Sequence, residues 1–147
     1  MKSKKRAILI VEDNPDDEAL ILMALKKNGV SNDIVITHDG QEALDYLFAS
    51  GKYAGRDSDD LPAVVFLDLQ LPKLDGHEVL QRIRAAAKTK LQPVVILTSS
   101  DETRDRIRSY DLGVNSYVCK PVDFEEFDAA VESLGKYWTR LNKTPKD

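Results

Sequence analysis

Five short apolar runs punctuate the chain, and four of them end in a residue able to handle a phosphoryl group. Residues 7–11 (AILIV) lead into Glu12 and Asp13, and residues 63–67 (AVVFL) into Asp68. Residues 94–97 (VVIL) lead into Thr98, and residues 117–119 (YVC) into Lys120 and Pro121. One acid after a strand says little. An acid pair, a lone acid, a hydroxyl and an ammonium brought to one spot would combine a cation site, a nucleophile and two groups that neutralise charge. Carboxylates attack phosphorus to give acyl phosphates. The oxygens of a transferring phosphoryl group carry charge that a divalent cation and an ammonium can balance.

The runs are β-branched and barely alternate, as strands buried on both faces of a parallel sheet do. Helical patterns separate them. Asn14 can cap the first helix, Pro15 suits its first turn, and Asp16, Asp17 and Glu18 suit the positive end of its dipole. Lys26, Lys27, Asn28 and Gly29 close it. Residues 33–37 read as a second strand, and Asp39 with Glu42 as a capping box for a second helix. A third helix is expected over residues 76–87 and a fourth over 101–112, stopped by Gly113. Asp123 and Glu126 form a capping box for a fifth, whose apolar residues Phe127, Val131, Leu134, Trp138 and Leu141 keep helical spacing. The order βαβαβαβαβα predicts a three-layer αβα domain, with right-handed crossovers placing helices on both faces of a parallel sheet.

A chain of 147 residues fits one domain, here residues 7–141 between a basic flank (1–6) and a polar tail (142–147). Net charge of −4 and a pI near 5.2 argue against a nucleic-acid footprint. No stretch approaches the roughly 20 apolar residues of a membrane span, and the run at 7–11 is too short for a secretory signal. The lone Cys119 cannot form an internal disulfide, which suits a reducing cytoplasm. The polar segment 50–61 (SGKYAGRDSDDL) is long for a connection. It reads equally as a tolerated surface insertion and as a partner-binding loop.

Ligands of open parallel sheets bind beyond the carboxyl ends of the strands, which is where each residue of the opening set falls. Two carboxylates 4 Å apart repel by about 4 kcal/mol at an effective dielectric of 20, so Glu12, Asp13 and Asp68 together call for a cation. All-oxygen donors favour Mg²⁺ over zinc, and the backbone carbonyl of Gln70 is a further candidate ligand. Asp68, alone at the end of the third strand, is the candidate nucleophile. Lys120 is the candidate ammonium, and the Thr98 hydroxyl a donor to one phosphoryl oxygen.

VEDNPDD, FLDLQLPKLDG, ILTSS and YVCKP, in this order and spacing, resemble the receiver domain of two-component response regulators. The resemblance spans residues 7–141. It implies a flavodoxin-like fold of strand order 2-1-3-4-5 and a phosphoryl group accepted on Asp68 from the phosphohistidine of a sensor histidine kinase. It matches Glu12 and Asp13 to the acidic pair, with Asp13 the direct metal ligand and Glu12, longer than the usual Asp, reaching through water. It implies a cis Lys120–Pro121 bond, and matches Asp75-Gly76 to the turn after the acceptor strand. It also implies a switch pair, in which Thr98 moves toward the phosphoryl group and Tyr117 swings inward, remodelling the face made by the fourth helix, fifth strand and fifth helix. The long loop and the Tyr137-Trp138 helix resemble the stand-alone receivers that partner bacterial phytochromes. The expected output is binding: a downstream phosphotransfer or output protein, or a second copy through the remodelled face. Gln70 and Ser100 flank the site and are expected to modulate access of water to the acyl phosphate.

Blander readings stand beside these. A degenerate receiver would bind partners without accepting phosphate. His38 and His77 lack companions at ligand spacing and read as helix-end polar residues. Arg104, Arg106 and Arg108 alternate with acids, either as a solvated helix face or as a contact with acids of a second copy. An aspartyl-phosphate phosphohydrolase would need an acid at Gln70 to protonate its leaving group. A flavin module would need a phosphate cradle where Glu12 and Asp13 stand.

Overall fold

The computed structural model describes residues 5–145. Strands β1 (Ile8–Val11), β2 (Ile34–Thr37), β3 (Val64–Leu67), β4 (Val94–Thr98) and β5 (Ser116–Cys119) alternate with helices α1 (Pro15–Lys27), α2 (Gly40–Phe48), α3 (Gly76–Ala85), α4 (Thr103–Asp111) and α5 (Phe124–Lys136). All strand pairs are parallel, in the order β2-β1-β3-β4-β5. This is the doubly wound, flavodoxin-like arrangement, and it matches the expected order strand for strand.

Alternation along the strands divides the core in two. Leu9, Val11, Val65, Leu67, Val94 and Ile96 face α2 and α3, where they meet Leu44, Leu47, Val79, Leu80 and Ile83. Ile8, Ile10, Val64, Phe66, Val95 and Leu97 face α1 and α5, where they meet Ile21, Leu25, Phe127 and Val131. The central strands are therefore covered on both faces, which removes any polar alternation from their sequence.

The caps act largely as expected. Asn14 accepts from the N–H groups of Asp16 and Asp17, and Asp123 from that of Glu126, while α3 has a cap not read from the sequence, Asp75, which accepts from the Glu78 N–H. Asp39 caps α2, but Glu42 returns its bond to the N–H of His38, one residue before the cap. Helix α3 stops at Ala85, short of 87, because the buried Thr89 hydroxyl donates to the Ile83 carbonyl and turns the chain. Helix α4 begins at Thr103, two residues later than expected, and Asp101, ahead of it, pairs with Arg106 at 2.7 Å.

Two expectations are corrected. The stripe of α5 does not carry through to Leu141. A π turn over Tyr137–Leu141, closed by the bond from Asn142 N–H to the Tyr137 carbonyl, shifts the helical phase. Trp138 stays against the α1/α5 core while Leu141 is 71% exposed. Among the described residues every peptide bond is trans, including Lys120–Pro121, in the isomer X–Pro bonds favour by about 0.5–1 kcal/mol.

Segment 50–61 is pinned to α2. The Arg56 guanidinium lies over the Tyr46 ring at 3.9 Å and donates to the Tyr46 carbonyl at 2.7 Å. Tyr53 packs edge-on to Tyr46 and donates to Glu42, which also pairs with Lys52. Of the basic flank, Met1–Lys4 lie outside the described residues; Arg6 donates to the Thr144 hydroxyl at 2.8 Å.

Gly76 opens α3 directly over the end of β3. A Cβ there would lie 2.4 Å from the Asp68 carbonyl oxygen and 2.7 Å from Leu69 Cα, both backbone. Gly76→Ala is expected to destabilise the domain by about 1–3 kcal/mol through forced displacement of this turn. Urea unfolding of the two proteins measures it.

Candidate phosphoacceptor site

Strands β1, β3 and β5 deliver Glu12, Asp68 and Lys120 to one point at the carboxyl edge of the sheet. Lys120 Nζ lies 2.7 Å from Glu12 Oε1 and 3.0 Å from Asp68 Oδ2. A third carboxylate, Asp17 Oδ2, approaches from the first turn of α1 at 2.8 Å. All three N–H groups of the ammonium are thus taken, and its side chain is only 7% exposed. The other oxygens are held too: Glu12 Oε2 accepts the Asn14 N–H at 3.0 Å, and Asp68 Oδ1 the Gln70 N–H at 3.2 Å.

Burial alone would depress the Lys120 pKa. Hydrogen bonds to Asp17 and Glu12 and the charge of Asp68 reverse this and hold it well above the ordinary lysine value. Burial pushes the Glu12 carboxyl upward, and its bonds with Lys120 and Asn14 offset only part of that rise. The ammonium is therefore a fixed positive charge under any ordinary condition.

Glu12, Asp13, Asn14, Asp17, Asp68, Gln70, Ser99 and Lys120 line a small cleft over this point. Its four carboxylates face one ammonium, and its donors are all oxygen, the set a hard cation takes. Asp13 is exposed at the rim. Among the described residues no three acid, His or Cys side chains are arranged as a ready cation cage. The carboxylates of Glu12 and Asp68 converge on the ammonium instead.

Not every expected residue reaches the cleft. Thr98 is wholly buried; its hydroxyl accepts a long bond from the Ser100 N–H at 3.4 Å, and its neighbour Ser99 lines the cleft. Ser99 donates to Gln70 Oε1 at 3.1 Å, which joins two residues at the cleft mouth. The Ser100 hydroxyl points away, to Asp105 of α4 at 2.5 Å. Tyr117, half-buried on β5, donates to the Ser100 carbonyl at 2.9 Å and packs against the α2/α3 core. Asp17 and Ser99 were hidden in the sequence. Asp17 read as a helix-dipole acid, although its place one turn into a helix capped by Asn14 turns it back toward Glu12. Ser99 follows from strand alternation once Thr98 is assigned inward.

The histidines stand apart from the cleft. His38 pairs with Glu18 at 2.7 Å, and buried His77 meets the Ser109 hydroxyl at 2.9 Å between α3 and α4. The Arg104 and Arg106 pairs are local, with Glu102 and Asp101.

A doubly wound parallel sheet with a buried acid at the end of its central strand, paired to a lysine from β5, is the arrangement with which the comparisons with known proteins agree. The chain belongs to the response regulator receiver domain family, whose pattern matches residues 8–132. It is 35% identical to the response regulator Rcp1 of Synechocystis over 140 residues, 95% of this chain and 93% of that one. The crystal structure of Rcp1 in a Mn²⁺-bound form superposes with a TM-score of 0.88 over 95% of this chain and 99% of that one, at 34% identity. The phosphorylated cyanobacterial phytochrome response regulator RcpA gives 0.88 at 37% identity, covering 95% and 98%. The bacteriophytochrome response regulator AtBRR gives 0.77 at 50% identity, covering 96% and 100%. The chain is thus a receiver domain, a signalling protein of the two-component class, homologous to phytochrome response regulators. No helix among the described residues is long and apolar enough to cross a membrane.

Replacing Lys120 with Met leaves Glu12 and Asp68 buried without their counter-charge. Without divalent cations the variant is expected to lose about 3–5 kcal/mol of stability in urea unfolding. Burial, and donation of its thiol to Asp101, raise the Cys119 pKa. Its reaction with a disulfide reagent at pH 8 is expected to be slower than that of a free cysteine, because the thiolate is the reactive form.

Proposed function

We propose that Asp68 accepts a phosphoryl group from the phosphohistidine of a sensor histidine kinase, of the phytochrome type, and that the protein signals through a change of surface. The observation that carries this reading is the Asp68 carboxylate, buried at the end of central β3, 3.0 Å from the Lys120 ammonium and open to a cleft. Ionised Asp68 needs no general base to attack phosphorus. Lys120 neutralises charge on the phosphoryl oxygens, and a hydroxyl at the end of β4, from Thr98 or Ser99, donates to one of them.

The donor set fits Mg²⁺. Asp13, Asp68 and the Gln70 carbonyl would hold it, and Glu12, longer than an aspartate, would reach it through water. When bound, the ion would supply charge neutralisation for the incoming phosphoryl group. Gln70 carries an amide where a hydrolase needs an acid, which supports a site that keeps its phosphoryl group for a time.

Thr98 and Tyr117 form the switch. Tyr117 is tied to the Ser100 carbonyl, and Ser100 in turn to Asp105 of α4, so movement at the end of β4 is passed to α4 and β5. The face they border exposes Ile107 and Tyr110. Its partner is a second copy of the chain or a downstream phosphotransfer or output protein. The protein works in the cytoplasm, with no nucleic acid or membrane among its partners.

Incubation with acetyl phosphate and Mg²⁺ is expected to add about 80 Da, one phosphoryl group. Asp68→Asn, or chelation of Mg²⁺, is expected to abolish the adduct in intact-mass measurement. An unmodified wild type would leave a degenerate receiver that only binds. Sizing of the same samples reads self-association. Removing the cleft-mouth pair (Gln70→Ala with Ser99→Ala) is expected to shorten the adduct's lifetime several-fold, while Ser100→Ala leaves it unchanged. Decay followed after removal of acetyl phosphate decides.

A further inference from the structure

Four hydrogen bonds close a circuit beside the acceptor. Glu12 Oε2 accepts the Asn14 N–H at 3.0 Å, and Asn14 Oδ1 accepts the Asp17 N–H at 3.1 Å. Asp17 Oδ2 accepts from Lys120 Nζ at 2.8 Å, and Lys120 Nζ donates to Glu12 Oε1 at 2.7 Å. The circuit joins the end of β1, the cap of α1 and the end of β5. Lys120 gives it two of three N–H groups, and the third rests on Asp68 Oδ2 at 3.0 Å.

We propose that Asp17 is a positioning residue for phosphoryl transfer: with Glu12 it fixes two N–H groups of Lys120, so that the third is aimed at the acceptor. The proposal rests on Asp68 being the phosphoacceptor. In the transfer an Asp68 oxygen bonds to phosphorus of the donor, acetyl phosphate in the test below. The bond from phosphorus to the acetate oxygen breaks, and acetate leaves with the electron pair. No proton moves, and Lys120 keeps all of its own. What the site supplies is a charge held in place, and orientation of this kind is worth large factors in rate.

Without Asp17, Glu12 would be the ammonium's one anchor besides the acceptor itself. Asp17 provides the second from a different element, and its own backbone is fixed by the α1 cap. The side chain is not needed for that cap, because Asn14 binds the backbone N–H groups of Asp16 and Asp17. Asp17→Ala therefore removes the tether and leaves the helix start intact.

Asp17 is also a negative charge on the cleft wall, which by itself would repel an incoming phosphoryl donor. The two roles predict opposite results. Adduct formation is followed by intact mass at several acetyl phosphate concentrations with Mg²⁺, for wild type, Asp17→Ala and Asp17→Asn, beside thermal unfolding of each. Asp17→Ala is expected to lower the saturated rate about tenfold, with the half-saturating concentration changed less than about twofold. Asp17→Asn, which retains an acceptor oxygen at the same place, is expected to recover most of the loss. Wild-type kinetics in Asp17→Ala, or faster reaction in both variants, overturns the proposal. Equal slowing in both, with lower unfolding midpoints, also overturns it and assigns Asp17 to the fold. If wild type forms no adduct, the phosphoacceptor reading fails and this proposal with it. A normal wild-type adduct with unaffected variants sinks only the role of Asp17.

Discussion

Lys120 sits among Glu12, Asp17 and Asp68, and the carboxyl end of the sheet is organised around that ammonium. Taking a lysine and two carboxylates out of water costs several kcal/mol per ion, roughly. The cost is met because every N–H of the ammonium has an anionic partner and each buried carboxylate has a backbone donor as well. The cluster still carries more negative charge than positive. That imbalance is the physical ground for the cation proposed at this site.

This arrangement is available because of the sheet order. β1 and β3 are neighbours, so Glu12 and Asp68 leave adjacent strands side by side. Lys120 comes from edge strand β5, two strands away from β3, and its long side chain spans β4 to reach them. Its backbone N–H is anchored on the Thr98 carbonyl at 2.7 Å, so the lysine is tied to β4 as well as to the acids. A shift of β4 relative to β3 would therefore be felt at the ammonium and, through Ser100, at Tyr117 and α4.

Most of the fold was legible because the central strands are buried on both faces and the helices between them carry their own start signals. Asn14, Asp39 and Asp123 each sit where a helix begins. The strand-end residues were legible as a set because parallel topology sends them all to one edge. The illegible parts depend on side-chain direction. Asp17 looked like one of three similar acids, and only the turn geometry selects it. Ser100 was expected beside the site, but its hydroxyl turns to Asp105 and Ser99, for which no part was expected, lines the cleft. Leu141 continued a perfect helical stripe, but a wider turn, without a sequence signal of its own, rotated it into solvent. The isomer at Pro121 lay beyond what the residues themselves dictate.

The bond from Arg6 to Thr144 brings residues from the two ends of the described chain together at the amino edge of the sheet, away from the cleft. Proximity of that kind is what lets a protein be circularly permuted. Joining the ends and reopening the chain within 54–58, on the surface loop held by Arg56, would leave every strand pair and the Lys120 cluster inside one continuous sequence. In such a molecule β3 would come first and β1 fourth, yet Asp68 and Glu12 would still leave neighbouring strands. The site is a property of the sheet order in space, and the order in which the ribosome makes the strands is only one way of reaching it.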